Sequence, residues 1–517
     1  MADDLQATQR TDVVQTSNGP IRGDREDVLH VFKGIRYGAA PIGARRFKPP
    51  VKPKAWTDVA DAIELGAPAV QSRSIPGEVA GGRSGGDPPA PGQPVSSEDC
   101  LFINIWSQGL DAKKRPVMVW LHGGGFADGS GGAAMYDGGN LARKGDVVTV
   151  TVNHRLNVFG YLHLGDIFGK EFESSGQAGM LDIVLVLEWV RDNIAKFGGD
   201  PGNVTIFGES GGGAKVSMLL AMGPAKGLFH KAIIQSGPGV RAVPRDRATQ
   251  LAKALLDELG IKDAAALQAA DGAAIARAAG VAPSKLPASD DIMARNATYS
   301  PCIDGVALKG HPWDPAAPEG TKDVPILIGT NKDESTLFLR GNPDFGSVTE
   351  EKLIERTKRA VGDKADALLA ALRKAYPDYS PTYLQSAVQT AQGMWMGSIT
   401  IAERKSAQKA APVFVYMLTW ETTAARGALK SPHALEIPLV FDNVDKARSF
   451  VGKDNPEGMA AQMSSAWLAF AKNGDPNTRE LPKWPAYDSA TRATMLFNHQ
   501  SVVVNDLNAD VRKVLAG

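Results

Sequence analysis

The sequence predicts an α/β fold: a mostly parallel central sheet with helices on both faces and helical insertions. Three observations predict it. Short apolar, β-branched runs recur along the chain, at 147–152, 204–207, 324–329 and 413–418, as strands buried on both faces do. Longer stretches with apolar residues at helical spacing separate them, at 180–197, 247–280 and 457–473. Between one such strand and one such helix stands Gly208-Glu209-Ser210-Gly211-Gly212, a tight glycine turn.

Taken in order, residues 12–37 alternate apolar and polar side chains between glycine turns, which reads as an N-terminal β-meander. Residues 72–97 are rich in glycine, proline and serine without apolar periodicity. They read as a flexible loop near the site entrance. Residues 98–106 alternate as a strand does, and 116–121 form another, ending in His122-Gly123-Gly124-Gly125-Phe126. After the strand at 147–152 comes an amphipathic helix at 180–197, closed by Gly198-Gly199-Asp200-Pro201. The strand at 204–207, the glycine turn and an apolar helical stretch at 214–221 follow. The alanine-rich 247–280 segment reads as inserted helices, and the strand at 324–329 leads into Asn331-Lys332-Asp333-Glu334. Helices near 349–376 and 383–410, a strand at 413–418, a helix at 457–473 and a final strand at 494–505 complete the chain. One domain over 1–517, enlarged by insertions, accounts for all of it.

Composition narrows the partners. Lysine plus arginine equals aspartate plus glutamate, 57 each, so no basic excess points to nucleic acid or an anionic membrane. No apolar run is long enough to span a bilayer. The start, Met1-Ala2-Asp3-Asp4, carries no secretory signal, as in a cytosolic chain or one whose signal has been trimmed. Cys100 and Cys302 are the only cysteines, so no disulfide framework is expected. No metal site and no organic cofactor are implied.

The glycine turn reads G-x-S-x-G between a strand and a helix, the pattern of a nucleophile elbow. A serine at the tip of a strained turn needs small neighbours, and Gly208, Gly211 and Gly212 bring no Cβ to clash. The following helix aims its N-terminus at Ser210 and favours negative charge there. The strand ending in HGGG supplies backbone N–H groups to an oxyanion hole in the α/β-hydrolase fold. A phosphate loop is the competing reading of such a segment, but no glycine-rich stretch here ends in G-K-[ST]. The fold orders its triad as nucleophile, acid, histidine. With the acid after the strand ending at Gly329, only His433 and His499 follow it. His499 lies at the last strand, a structural position. His433 lies in the turn-like Lys430-Ser431-Pro432-His433-Ala434 and is the candidate base. Asp333 and Glu334 both remain open as the acid. Phe126, Phe338 and Trp395 are candidates to line an apolar substrate pocket.

Several motifs in sequence order, FKGIRYG, EDCLFINIW, HGGGF, NHRLNVFGYL, FGGDPGNVTIFGESGGG, NKDES, HALEIP and WLAFAKNGDPN, carry a family resemblance. The chain resembles the type-B carboxylesterase/cholinesterase family, bacterial p-nitrobenzyl esterases among them, over nearly its whole length. The resemblance implies the α/β-hydrolase fold and a triad of Ser210, Glu334 and His433. It implies oxyanion amides at Gly124, Gly125 and Gly211, and a buried carboxylate pair, Glu209 and Glu436, beside the triad. It also implies a structural ion pair between Glu98 and Arg155.

Departures from the family are informative. The partner of a bridged Cys100 would fall near Val70, so no bridge is expected there. The 71–97 loop has no aromatic residue, where choline-binding relatives stack a tryptophan on the cation. Lys215 replaces a small or apolar residue and is expected to meet an acidic substrate or a structural carboxylate. The implied function is a serine carboxylesterase acting on a small-molecule ester through an acyl-enzyme. Amides or carbamates on the same machinery, or polyester toxins of the fumonisin type, are the alternatives. A non-catalytic adhesion homologue is disfavoured, because serine, acid, histidine and HGGG all survive.

Overall fold

Each strand leaves a row of N–H and C=O groups that need a neighbour, and here nearly all of them find one in a single sheet. The computed structural model describes residues 9–71, 94–288 and 298–516. The loop expected at 72–97 therefore lies outside the described residues except for 94–97. At the N-terminus β1 (Val14–Gln15), β2 (Pro20–Arg22) and β5 (Ala60–Asp61) make a small three-stranded sheet.

The main sheet begins with β3 (Asp24–Glu26), β4 (Leu29–Arg36), β6 (Phe102–Ser107), β7 (Arg115–Leu121) and β8 (Val148–Val152). It continues through β9 (Gly199–Glu209), β10 (Lys231–Gln235), β11 (Ile326–Asn331) and β12 (Val413–Leu418) to β13 (Thr494–Phe497) and β14 (Val502–Val504). These eleven strands lie in the order β14-β13-β12-β11-β10-β9-β7-β8-β6-β4-β3. Every pairing from β8 through β7 and β9 to β13 is parallel, and antiparallel strands close both edges.

Side chains alternate across the sheet and build a core on each face. Val119, Ile206, Ile328 and Val415 join one core with the helices Ala178–Asn193 and Met396–Ala407. Trp120, Phe207, Leu327 and Tyr416 join the other with the helix Pro456–Asn473. The α/β-hydrolase architecture is the one the sequence predicts.

Local boundaries differ for identifiable reasons. β9 starts at Gly199, earlier than the apolar run, because Gly199 pairs with Arg115 before the register shifts to Val117–Val204. The expected last strand is a hairpin, β13 pairing with β14. Both long helical stretches are divided, the second by a π-helical turn at Ala391–Trp395. The insertion resolves into Arg245–Leu259, Ala264–Ala269 and Gly272–Val281. Asp263 and Asp271 cap the latter two by accepting from the amides of Ala266 and Ala274.

The ion pair expected between Glu98 and Arg155 is not made. Arg155, just after β8, turns onto the Ala178–Asn193 helix and meets Asp182 at 2.7 Å, with both side chains buried. Asp182 also accepts from the Arg155 backbone amide at 3.0 Å and from Nε at 2.9 Å. Glu98 instead accepts from Arg46 Nε and Nη2, at 2.7 Å each, in a two-pronged pair. Asp182 thereby satisfies the backbone amide and the guanidinium of Arg155 together. Cys100 and Cys302 are both free and buried.

Candidate active site

β9 ends at Glu209, and the helix Gly211–Leu219 begins two residues later, so Ser210 must reverse the chain alone. It does so at φ 56° and ψ −121°, a backbone region that L-residues occupy at a cost of about 1–3 kcal/mol. The Ser210 amide donates to Gln235 O at 2.9 Å, tying the turn to the end of β10. Gly211 and Gly212 are required by close approach. A Cβ at 211 would strike Gly125 O, and one at 212 would strike Leu121 O. The first turn of the elbow helix therefore rests directly on the segment that leaves β7.

That segment carries the expected amides. Gly124 and Gly125 adopt φ 87° and 65°, and Gly124 O accepts from the amides of Ala127 and Asp128. Among the described residues, the amides of Gly124, Gly125 and Gly211 donate to no protein acceptor.

β11 and the loop after β12 bring the acid and the base together. Glu334 Oε2 lies 2.6 Å from His433 Nδ1, and Glu334 Oε1 accepts the Asn331 amide at 2.7 Å. Asp333, the neighbour that chemistry alone could not exclude, is engaged elsewhere. It accepts from Tyr379 Oη at 2.6 Å and from the Ser431 amide at 3.2 Å. His433 Nε2 lies 3.0 Å from Glu209 Oε1 and has no hydrogen-bond partner of good geometry among the described residues. His499 is on the surface, 3.0 Å from Asp454.

A second carboxylate underlies this group. Glu436 Oε2 accepts from Asn331 Nδ2 at 2.6 Å, and Oε1 faces Gln235 and Ser236. Burial, then the neighbouring Glu334 charge, pushes the Glu436 carboxyl up to about 7. Burial likewise raises Glu209, reinforced by Glu436 and Glu334 and opposed by His433. Burial alone would depress His433. The charges of Glu209 and Glu334, with the Glu334 hydrogen bond, overcome that and raise it to about 9.

A cavity of about 860 Å³ opens beside the elbow, lined among others by Phe126, Ala214, Met218, Pro238 and Met396. Ser210 caps the elbow helix, and Ala214 and Met218 lie one and two turns further along the same face. The cavity therefore flanks the elbow helix. Of the three aromatic candidates, Phe126 lines the cavity. Phe338 is 45% exposed, with its ring 4.9 Å from that of His433. Trp395 is buried in the core beside Tyr376 and Met417.

Lys215, expected to meet an acidic substrate or a structural carboxylate, has no carboxylate partner among the described residues; its fully buried ammonium donates to His122 O at 2.9 Å and to Gly125 O at 3.2 Å. A lone charge in an apolar helix was the available signal, but not its partner. Among the described residues no group of His, Cys, Asp or Glu is arranged to hold a metal, and no helix is long and apolar enough to cross a membrane.

Comparison with known proteins agrees with this geometry. The chain matches the Carboxylesterase family over residues 10–513. It is 34% identical to the para-nitrobenzyl esterase of Bacillus subtilis, over 97% of this chain and 98% of that one. It is 32% identical to the fumonisin B1 esterase of Sphingopyxis macrogoltabida, over 92% and 84% respectively. Among solved structures, the Geobacillus stearothermophilus carboxylesterase EST55 superposes with a TM-score of 0.83 at 37% identity, covering 98% of this chain and 100% of that one. A glycine-flanked serine on a strained turn, a buried imidazole–carboxylate pair and this whole-length kinship lead to one conclusion: the chain belongs to the carboxylesterase family and is a carboxylic ester hydrolase.

Proposed function

We propose that Ser210, His433 and Glu334 form the catalytic triad of an esterase that works through an acyl-enzyme. The observation that carries this reading is the 2.6 Å contact of Glu334 with His433 Nδ1. It fixes the tautomer that leaves Nε2 free to accept a proton. Nε2 lies against the carboxylate of Glu209, the residue directly before Ser210, and in the proposed cycle it leaves that carboxylate for the Ser210 hydroxyl.

His433 then takes the Ser210 proton as Oγ attacks the ester carbonyl. The amides of Gly124, Gly125 and Gly211 hold the oxyanion, each donor of this kind contributing about 100- to 1000-fold in rate. His433 gives the proton to the departing alcohol, then takes one from the water that attacks the acyl carbon, and passes it to Ser210 Oγ as that ester bond breaks and the acid leaves. Glu209 and Glu436 hold the imidazolium in place from below. The cavity along Ala214 and Met218, with Phe126 on its wall, suits an apolar acyl or alcohol group of drug-like size.

Covalent labelling tests the reading. An organophosphate is expected to modify Ser210 stoichiometrically and abolish hydrolysis of p-nitrophenyl esters, and labelling elsewhere with loss of activity would refute it. Matched ester and anilide substrates separate esterase from amidase use of the site, with the ester expected to turn over faster.

A further inference from the structure

Lys215 is a buried cation that the proposed chemistry does not use. Lysine is rarely fully buried without a partner, and among the described residues no carboxylate pairs with this one. All its polar contacts go to one short segment. Nζ donates to His122 O and Gly125 O, and it lies 5.5 Å from the ring centre of Phe126, within cation–π range. We infer that Lys215 is a positioning residue for ester hydrolysis, a tie between the elbow helix and the 122–126 segment that sets where the Gly124 and Gly125 amides point. The inference rests on the oxyanion role proposed above for those amides.

The geometry supports a tie rather than a filler. Gly125 O is gripped from two sides of one helical turn: Lys215 Nζ binds it, and the absent Cβ of Gly211 lets it approach. Among the described residues the amides of Gly124 and Gly125 donate to no acceptor, and both residues have positive φ. Their peptide planes are held through the carbonyls they share, Gly123 O by His122 Nδ1 at 2.9 Å and Gly124 O by the amides of Ala127 and Asp128, and Lys215 brackets both planes by holding the carbonyls on either side, His122 O and Gly125 O. Behind it His122 and His154 stack at 5.0 Å. Burial, then the Lys215 charge, keeps both imidazoles neutral at ordinary pH, so they do not compete as cations. Burial also pushes the Lys215 ammonium down to about 7. The neutral amine keeps two N–H groups, enough for both carbonyls, so the tie survives deprotonation.

The test is Lys215→Met, which keeps the apolar stem and removes the donor. Removing a buried charge in favour of an apolar chain is commonly tolerated by a fold, so a native circular-dichroism spectrum is expected. Deleting one oxyanion donor costs about 100- to 1000-fold, and misaiming donors should cost less: kcat is expected to fall about 10- to 100-fold with KM within about threefold. The Ki of a trifluoromethyl ketone, whose adduct carries the oxyanion, should rise in the same proportion as kcat/KM falls. The Ki of the product alcohol, which does not engage those amides, should not move. Lys215→Gln, which retains an N–H donor, should recover part of kcat, and it decides the matter if the methionine variant does not fold. Wild-type kcat in a folded Lys215→Met, or reduced kcat with an unchanged ketone Ki, overturns the inference. Failure of the oxyanion role would appear differently, as a wild-type enzyme that the ketone does not inhibit.

Discussion

Replacing Asp182 by alanine leaves the Arg155 guanidinium buried without its counter-charge. The structure sets the size of the effect. Three bonds are lost, from the Arg155 amide at 3.0 Å, Nε at 2.9 Å and Nη2 at 2.7 Å, between side chains that are 3% and 0% exposed. Two remain, to Lys48 O at 2.8 Å and Ala178 O at 3.3 Å, so the charge keeps some solvation by carbonyls. Breaking such a buried pair from one side costs about 3–5 kcal/mol. Against an unfolding entropy of about 1.1 kcal/mol/K for a chain of 517 residues, that is a fall in Tm of about 3–5 °C. Differential scanning calorimetry and the urea midpoint at constant m-value measure it. Glu98→Ala is the control. Glu98 and Arg46 are 15% and 9% exposed, and Arg46 keeps bonds to Gln268 O and Ala270 O. The expected cost there is smaller, about 1–2 kcal/mol. In a double-mutant cycle, Arg155→Met with Asp182→Leu should recover most of the loss, because an apolar pair has no charge to orphan. The reasoning fails if Asp182→Ala stays within about 1 kcal/mol of wild type, or if Glu98→Ala proves the more damaging change.

Three further outcomes follow from the site. His433 is raised to about 9, so it is protonated and unable to act as a base below that pH; kcat/KM should climb with pH toward about 9. Glu209→Gln removes the largest charge holding the proton on, and should shift the limb of the pH–rate profile to lower pH. His433→Ala should lose nearly all turnover with its fold intact, whereas His499→Ala, a surface residue 48% exposed in its side chain, should keep most of it; the reverse pattern in ester assays would move the triad. Gly211→Ala places a Cβ against Gly125 O; the resulting overpacking should lower stability by about 1–3 kcal/mol and kcat more than KM, read by calorimetry and steady-state kinetics.

How much of this was legible in the sequence depends on how local each interaction is. The elbow could be read because strand, glycine turn and helix follow within a few residues of Ser210. His433 could be singled out as the candidate base because the fold orders a triad as nucleophile, acid, histidine. The choice between Asp333 and Glu334 could not be read, because adjacent carboxylates at the end of β11 are chemically alike. What faces each distinguishes them, Tyr379 for one and His433 for the other, and those partners come from distant segments. The pairing of Arg155 went astray for the same reason, and the carbonyls that hold Lys215 were not legible either. Each of Asp182 and Lys215 is a lone charge in a run of apolar helix, which marks a buried interaction without naming the partner. Boundaries slipped where pairing outlasts hydrophobicity, as at Gly199 in β9.

The backbone of Ser210 has a consequence for how the enzyme wears out. The proposed nucleophile is held under tension, clamped at one end by β9 and at the other by the elbow helix. Any loosening of either clamp lets that single residue relax to a more comfortable turn. On slow heating, activity is therefore expected to disappear before the sheet melts, because the part of the molecule that does the work is also the part least content with its shape.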